Sequence, residues 1–348
     1  MVSLQLVDEK KVKSLGEICA TPNFLYVINS AKKKDFAVAA REGAELWPDK
    51  TTINLACGKK SVALVAMHDD IFAVSDKSLF KIRGKEIISK AIEPPVERSD
   101  IFLSYYKWHP YKYFDIGSDG NCLYVELNTD DGSAFRSHYL VINSDLELIN
   151  AFRSEEDEDG SRIIDGQSVL FLSDNWHEWK VYTQGILKEK MARPLWYPDE
   201  VYDELAKFEK ERDADPERNA DPGLSSLEAL NKHIESCGRL DNLLYHFTDG
   251  TNLYALSRKG RIVGCAQDSL VLLDEFGHEL NENRAIDCAH NGKYAVVVHD
   301  DHARIFSSGK MVGKSDVDTS GIKDMTMDDR FVYLLRKDCR IQRYSIID

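Results

Sequence analysis

The stretch AIDCAHNGKYAVVVHDDHARIFSSGK, residues 285–310, holds in complete form a pattern that recurs along the chain. Residues 285–289 are a short apolar run. Asn291-Gly292 is the strongest two-residue hairpin signal, and residues 294–298 after it are β-branched and aromatic. Asp300-Asp301 turns the chain again, into a third strand running from His302 to Phe306. One antiparallel meander results, its reversals built from Asn, Asp and Gly.

The same succession appears as Asp119-Gly120 before Leu123-Tyr124-Val125, Asp165-Gly166 before Val169-Leu170-Phe171, and Asp249-Gly250 before Leu253-Tyr254-Ala255. Weaker copies are Asn23 before Leu25-Tyr26-Val27, Asp69-Asp70 before Phe72-Ala73-Val74, and Asp328-Asp329 before Val332-Tyr333-Leu334. Anchored on Tyr26, Phe72, Tyr124, Leu170, Tyr254, Tyr294 and Tyr333, the spacings are 46, 52, 46, 84, 40 and 39 residues. Self-similarity at about 40–50 residues, with about four short strands per period, predicts an all-β chain of the seven-bladed β-propeller kind, whose blades bury their faces only against neighbours. Val2, Leu4 and Leu6 alternate with polar residues, while residues 340–346 read as only a third strand of the last blade. The N-terminal strand is therefore expected to close that blade and cover its open edge.

The 84-residue spacing contains residues 197–238, whose removal leaves 42. Pro198 stands where a first helical turn begins, Asp199 and Glu200 follow it, and Val201, Leu205 and Phe208 fall at i, i+4 and i+7. Ser225-x-x-Glu228 is a capping box; Leu227, Leu230, Ile234 and Cys237 share a stripe that stops at Gly238. The organisation expected is thus propeller over 1–196, an inserted helical hairpin over 197–238, and propeller again over 239–348. Residues 261–280 offer RIVGCAQ and SLVLLD, and the pattern does not settle which is the third strand.

Charge narrows the function classes. A net charge of −14 argues against general nucleic-acid binding, which needs clustered Lys and Arg to displace counterions. Lys32-Lys33-Lys34 reads as a solvated turn. Seven cysteines without a CxxC pair read as reduced thiols of a cytoplasmic protein, and no run approaches membrane-spanning length. Residues 197–238 carry twelve acids against five bases, including Glu209 and Glu211, so −7 of the −14 lies in that segment. Such a surface steers a partner with a basic face and then offers it apolar contact; as a charge run it is equally a solvated excursion. Residues 101–114 are half aromatic and include Tyr106, Trp108 and Tyr111, which either cover a blade junction or form a second binding patch.

Two constellations are candidates for metal chemistry. Asp115, Asp287 and Asp324 each stand four residues before a turn, so a repeat fold sets them at one height; they either ring a channel mouth as cation ligands or accept local N–H bonds. His299 and His302 flank the Asp300-Asp301 turn as a cross-strand pair. Glu155, Asp157, Asp159 and Gly160 imitate the start of a calcium loop, but Gly166 occupies the position of its bidentate Glu. No GxSxG, HExxH, GxGxxG or P-loop is present, and no cofactor is expected.

The repeat resembles that of seven-bladed propellers of the WD40-like and quinoprotein-like kinds, over nearly all the chain outside 197–238, without the Gly-His and Trp-Asp dipeptides of WD40 blades. The resemblance implies a rigid scaffold that presents loops to other proteins. The alternative it implies is an enzyme or small-ligand propeller with its site at the channel mouth.

Overall fold

The computed structural model describes residues 2–12, 16–28, 35–40, 51–55, 63–75, 78–91, 114–130, 135–153, 162–164, 169–172, 178–184, 186–192, 243–249, 251–257, 260–266, 269–278, 280 and 287–348. All the regular elements among them are strands, and these form seven four-stranded antiparallel sheets. The first sheet is β2 (Ile18–Ala20), β3 (Phe24–Ile28), β4 (Asp35–Ala40) and β5 (Thr51–Asn54). The second is β6 (Ala63–Met67), β7 (Asp70–Ser75), β8 (Ser78–Arg83) and β9 (Glu86–Ala91), and the third β10 (Phe114–Ser118), β11 (Leu123–Asp130), β12 (Phe135–Ile142) and β13 (Leu148–Arg153). The fourth is β14 (Arg162–Ile164), β15 (Val169–Leu172), β16 (Glu178–Thr183) and β17 (Ile186–Ala192), and the fifth β18 (Leu243–Thr248), β19 (Leu253–Ser257), β20 (Arg261–Ala266) and β21 (Ser269–Glu275). The sixth is β22 (Asp287–His290), β23 (Ala295–His299), β24 (His302–Ser307) and β25 (Lys310–Asp316). The seventh joins β26 (Ile322–Met327), β27 (Phe331–Arg336) and β28 (Arg340–Ile347) to β1 (Ser3–Lys11). RIVGCA is therefore the third strand of its sheet and SLVLLDE the fourth.

Burial explains why these runs are strands. β23 is buried at every position and β27 at all but its first, so neither alternates in and out. Both faces of such a strand are covered, which suits continuous Val, Ile, Leu and Tyr. β9, outermost in its sheet, is exposed at all six positions. The cover comes from neighbouring sheets. Tyr26, Ile28 and Val38 of the first sheet pack with Ile71, Phe80 and Ile82 of the second. Phe72 and Leu79 of the second pack with Leu123 and Leu140 of the third. Val296 and Ile305 of the sixth pack with Val332 and Leu334 of the seventh, and Leu335 and Ile341 of the seventh pack with Ile18 and Leu25 of the first. The last sheet thus packs on the first, and the architecture is an all-β propeller.

The chain divides into two compact units: residues 1–191, 247–253 and 285–348 in one, and 192–246 and 254–284 in the other. In the second, β20 and β21 pair with a bulge between Ile262 and Val263, and Tyr254, Leu256 and Ile262 are fully buried.

The N-terminal strand closes the seventh sheet and runs further than its alternation indicated, from Ser3 opposite Ile347 to Lys11 opposite Arg340. Charge carries the extension. The Arg343 guanidinium, buried and lying 4.8 Å over the Phe331 ring, donates from Nε and Nη2 to the Asp8 carboxylate. Glu9 accepts from Arg340 at 2.9 Å and from Gln342 at 2.8 Å. Further back, Val2 donates to the Val312 carbonyl at 3.1 Å, so close to Gly313 that a Cβ there would sit 1.8 Å from the Val2 oxygen. A buried guanidinium that loses its carboxylate is left uncompensated. Asp8→Ala is therefore expected to lower the unfolding free energy by about 2 kcal/mol, and adding Arg343→Met to recover part of the loss. Denaturant unfolding of both variants checks this; a single-site loss no smaller in the double variant contradicts it.

Candidate functional site

The candidate carboxylates lie on the first strands of their sheets, and the turns that follow those strands set their surroundings. In five sheets the turn from first to second strand has one construction. Thr21, Asp119, Asp249, Asn291 and Asp328 each donate their backbone N–H to the carbonyl three residues on, at 2.9 to 3.3 Å. A side-chain oxygen of the same residue accepts the N–H groups inside the turn. Asp119 Oδ1 takes those of Asn121 (2.9 Å) and Cys122 (2.7 Å), and Asp249 Oδ1 takes those of Thr251 (2.9 Å) and Asn252 (2.7 Å). Asn291 Oδ1 takes those of Lys293 (3.0 Å) and Tyr294 (2.9 Å), and Asp328 Oδ1 those of Arg330 (2.7 Å) and Phe331 (2.9 Å). Thr21 Oγ1 takes that of Phe24 at 3.1 Å. A short polar side chain hydrogen-bonding its own backbone two and three residues on is the mechanism that makes Asp, Asn and Thr turn residues.

This corrects the sequence reading at two points. Asn291-Gly292 does not form a two-residue hairpin: His290 pairs with Ala295 around a four-residue turn that Asn291 caps. Five residues after the capping position comes Tyr26, Tyr124, Tyr254 or Tyr333, each almost fully buried, and in the sixth sheet Val296. Tyr294 belongs two residues earlier in the repeat, level with Phe24 and Phe331.

The capping side chains and their neighbours also reach adjacent sheets. Asp119, fully buried, uses Oδ2 to accept from the Tyr124 hydroxyl and from the Gln184 backbone N–H of the fourth sheet, both at 2.8 Å. Asn291 Nδ2 donates to the Asp328 carbonyl at 2.9 Å. Asn23, in the first sheet's turn, donates from its backbone and its side chain to the Asp69 carboxylate of the second.

Asp115, Asp287 and Asp324 occupy equivalent register positions, opposite Glu126, Val298 and Leu335. Asp324, half-buried, accepts from its neighbour Met325 at 2.9 Å and from the Ile18 N–H at 2.6 Å, beside an Ala20 N–H bond to Thr326 Oγ1 at 3.1 Å. It joins the seventh sheet to the first. Burial pushes its carboxyl up to about 6 against the pull of those two donors, and the Glu17 charge adds to the rise. Burial, with the same two carboxylates, holds the Cys19 thiol at about 12, so it stays protonated. Glu17 stands four residues before Thr21, the same repeat position, and was missed because its turn lacks an Asp or Asn cap.

His299 and His302 are the expected cross-strand pair, around a two-residue turn whose Asp300 and Asp301 have φ of 50° and 57°. Each ring faces its own carboxylate: His299 Nε2 lies 3.4 Å from Asp300 Oδ1 and His302 Nδ1 3.0 Å from Asp316 Oδ1. Tyr106, Trp108, Tyr111, Val201, Leu205, Phe208, Glu209 and Glu211 lie outside the described residues, as do Lys32 to Lys34 and the acidic run at 155–159.

No family model matches the chain, and no curated protein matches it. Among solved structures it is similar to BamB from Moraxella catarrhalis at 10% identity and a TM-score of 0.41, over 98% of this chain and 97% of that one. It is similar to PorZ, a surface component of the type-IX secretion system of Porphyromonas gingivalis, at 9% identity and 0.50, over 94% of this chain and 36% of that one. Raptor from Chaetomium thermophilum aligns at 8% identity and 0.53, over 99% of this chain and 28% of that one. The chain spans roughly a third of PorZ and of Raptor. At 9% and 8% identity the likeness to PorZ and Raptor is one of fold alone.

The raised Asp324 carboxyl has a signed consequence. The folded state holds its proton more tightly than the unfolded chain, so the contribution is fully present below the ordinary carboxylate range and is lost as pH rises through about 6. Lowering the pH from neutral to below 5 is expected to stabilise the wild type relative to Asp324→Asn by about 2 kcal/mol. Parallel unfolding curves across that window measure it, and a pH-independent difference contradicts it.

Proposed function

We propose that the chain is a non-catalytic protein-interaction scaffold, a seven-bladed propeller whose partner-binding elements are the acidic segment at 197–238 and the aromatic segment at 101–114. One observation carries the reading: the polar groups at the first-strand turns serve backbone N–H groups, while exposed apolar side chains gather on the outermost strands. Asp119, Asp249 and Asp328 are buried turn caps, and Asp324 joins two sheets. Leu6 and Val7 on β1, Ile88 on β9, Ile149 on β13, Ile186 on β17 and Leu272 on β21 are 47 to 63% exposed. A domain that spends its internal polar groups on rigidity and leaves apolar surface outside suits binding more than chemistry.

Within this reading Val201, Leu205 and Phe208 supply apolar contact, Glu209 and Glu211 steer a basic partner, and Tyr106, Trp108 and Tyr111 form a second contact. The compartment we assign is the cytoplasm, supported by the free thiols of Cys19, Cys122, Cys288 and Cys339. Partner capture by the intact chain, compared with a form in which a Gly/Ser bridge replaces 198–237, tests the proposal. The excised chain is expected to keep its melting transition and to lose partners whose binding weakens with salt. Capture that is unchanged, with unchanged salt dependence, overturns the assignment of that segment.

A further inference from the structure

An unpaired strand edge exposes a row of N–H and C=O groups, and folded proteins interrupt such edges with bulges and charges. The pairing of four outermost strands here is broken in this way: β1 between Leu6 and Asp8, β13 between Val141 and Ile142, β21 between Ile262 and Val263, and β25 between Ile305 and Phe306. β9 differs. Its six pairs with β8 run from Arg83–Glu86 to Ser78–Ala91 without a shift, and no strand among the described residues covers its other side.

The direction of its backbone groups follows from the turn. Gly84, with φ 55°, is the first residue of a two-residue hairpin loop, so the flanking Arg83 and Glu86 exchange both hydrogen bonds. Alternation then directs the backbone groups of Glu86, Ile88 and Lys90 to β8 and those of Ile87, Ser89 and Ala91 outward. The side chains of Glu86, Ile88 and Lys90 share one face, and Ile88 at its centre is 60% exposed.

That pattern is its own complement. We propose that β9 is a self-association edge, through which two copies of this chain pair antiparallel about a two-fold axis at Ile88. Ile87 of each copy then exchanges hydrogen bonds with Ser89 of the other, using the outward groups of both. Ile88 meets Ile88 in the non-hydrogen-bonded pair, where side chains come closest, and Glu86 lies opposite Lys90 twice. Opposite charges two residues either side of the axis fix this register and reject the parallel arrangement, which sets Glu86 against Glu86. Lys90 also borders an open groove of about 280 Å³ lined by Leu79, Leu140, Leu146 and Leu148, which extends the apolar surface beside the axis. Such isologous pairing is the commonest way in which like chains associate. It involves no residue of 101–114 or 197–238, so it stands whether or not those bind a partner.

Sedimentation across a concentration series tests it on the full chain. The wild type is expected to show a monomer–dimer equilibrium, and Lys90→Glu or Glu86→Lys alone to raise the dissociation constant at least about tenfold. The double variant Glu86→Lys with Lys90→Glu restores both cross-pairs and is expected to return within about threefold of the wild type. Ser89→Pro removes only an outward N–H and is expected to abolish the dimer while leaving the melting temperature unchanged. A wild type that stays monomeric to about 0.2 mM overturns the proposal. So does a dimer that the single charge reversals leave intact, or one that the double reversal fails to restore.

Discussion

In four of the sheets, one side-chain oxygen at the first residue of the turn between first and second strands is the contact on which the structure depends. In Asp119, Asp249, Asn291 and Asp328 it takes the two N–H groups that a four-residue turn would otherwise leave without partners. The turn fixes the register of the second strand, and in the first and seventh sheets that strand delivers its tyrosine to a core shared with a neighbouring sheet. The buried tyrosines Tyr26, Tyr124, Tyr254 and Tyr333 all stand five residues beyond the capping position. Because side chains alternate faces along a strand, a shift of one residue would send every such ring to the wrong face.

Polar groups at and near these turns join sheets as well as hairpins. Asp119 reaches Gln184, Asn291 reaches the Asp328 carbonyl, Asn23 reaches Asp69, and Asp324 reaches Ile18. Between sheets the apolar contacts are non-directional, so these few hydrogen bonds set how one sheet is oriented on the next. The seventh sheet depends on such contacts twice: Asp324 and Thr326 hold it to the first sheet, and Asp8 with Arg343 holds its outermost strand in place.

The repeat was legible in the sequence because its strongest signals, turn residues and a following aromatic, are local. Four-stranded sheets, the closing N-terminal strand and the equivalence of Asp115, Asp287 and Asp324 follow from that periodicity alone. What the sequence left unread depends on partners far along the chain. Asn291-Gly292 has the composition of a tight hairpin, yet Asn291 caps a wider turn, and Tyr294 mimicked an anchor that is Val296. Asp324 reads as a turn residue, but its acceptor role spans 306 positions to Ile18. The extra length of β1 follows from Arg343 and Arg340, which lie more than 330 residues from Asp8 and Glu9. Alternation ended at Val7, and charge pairing carried the strand on.

The most direct test of this account is the unfolding free energy of Asp119→Ala. The side chain is fully buried and accepts from Asn121, Cys122, Tyr124 and Gln184, so its loss leaves four donors without their acceptor. A loss of about 3 kcal/mol or more is predicted, since each buried donor to a charged acceptor contributes on the order of 1 kcal/mol or above. A change under about 0.5 kcal/mol, the size of an ordinary surface substitution, would contradict the claim that the capping oxygen organises the fold.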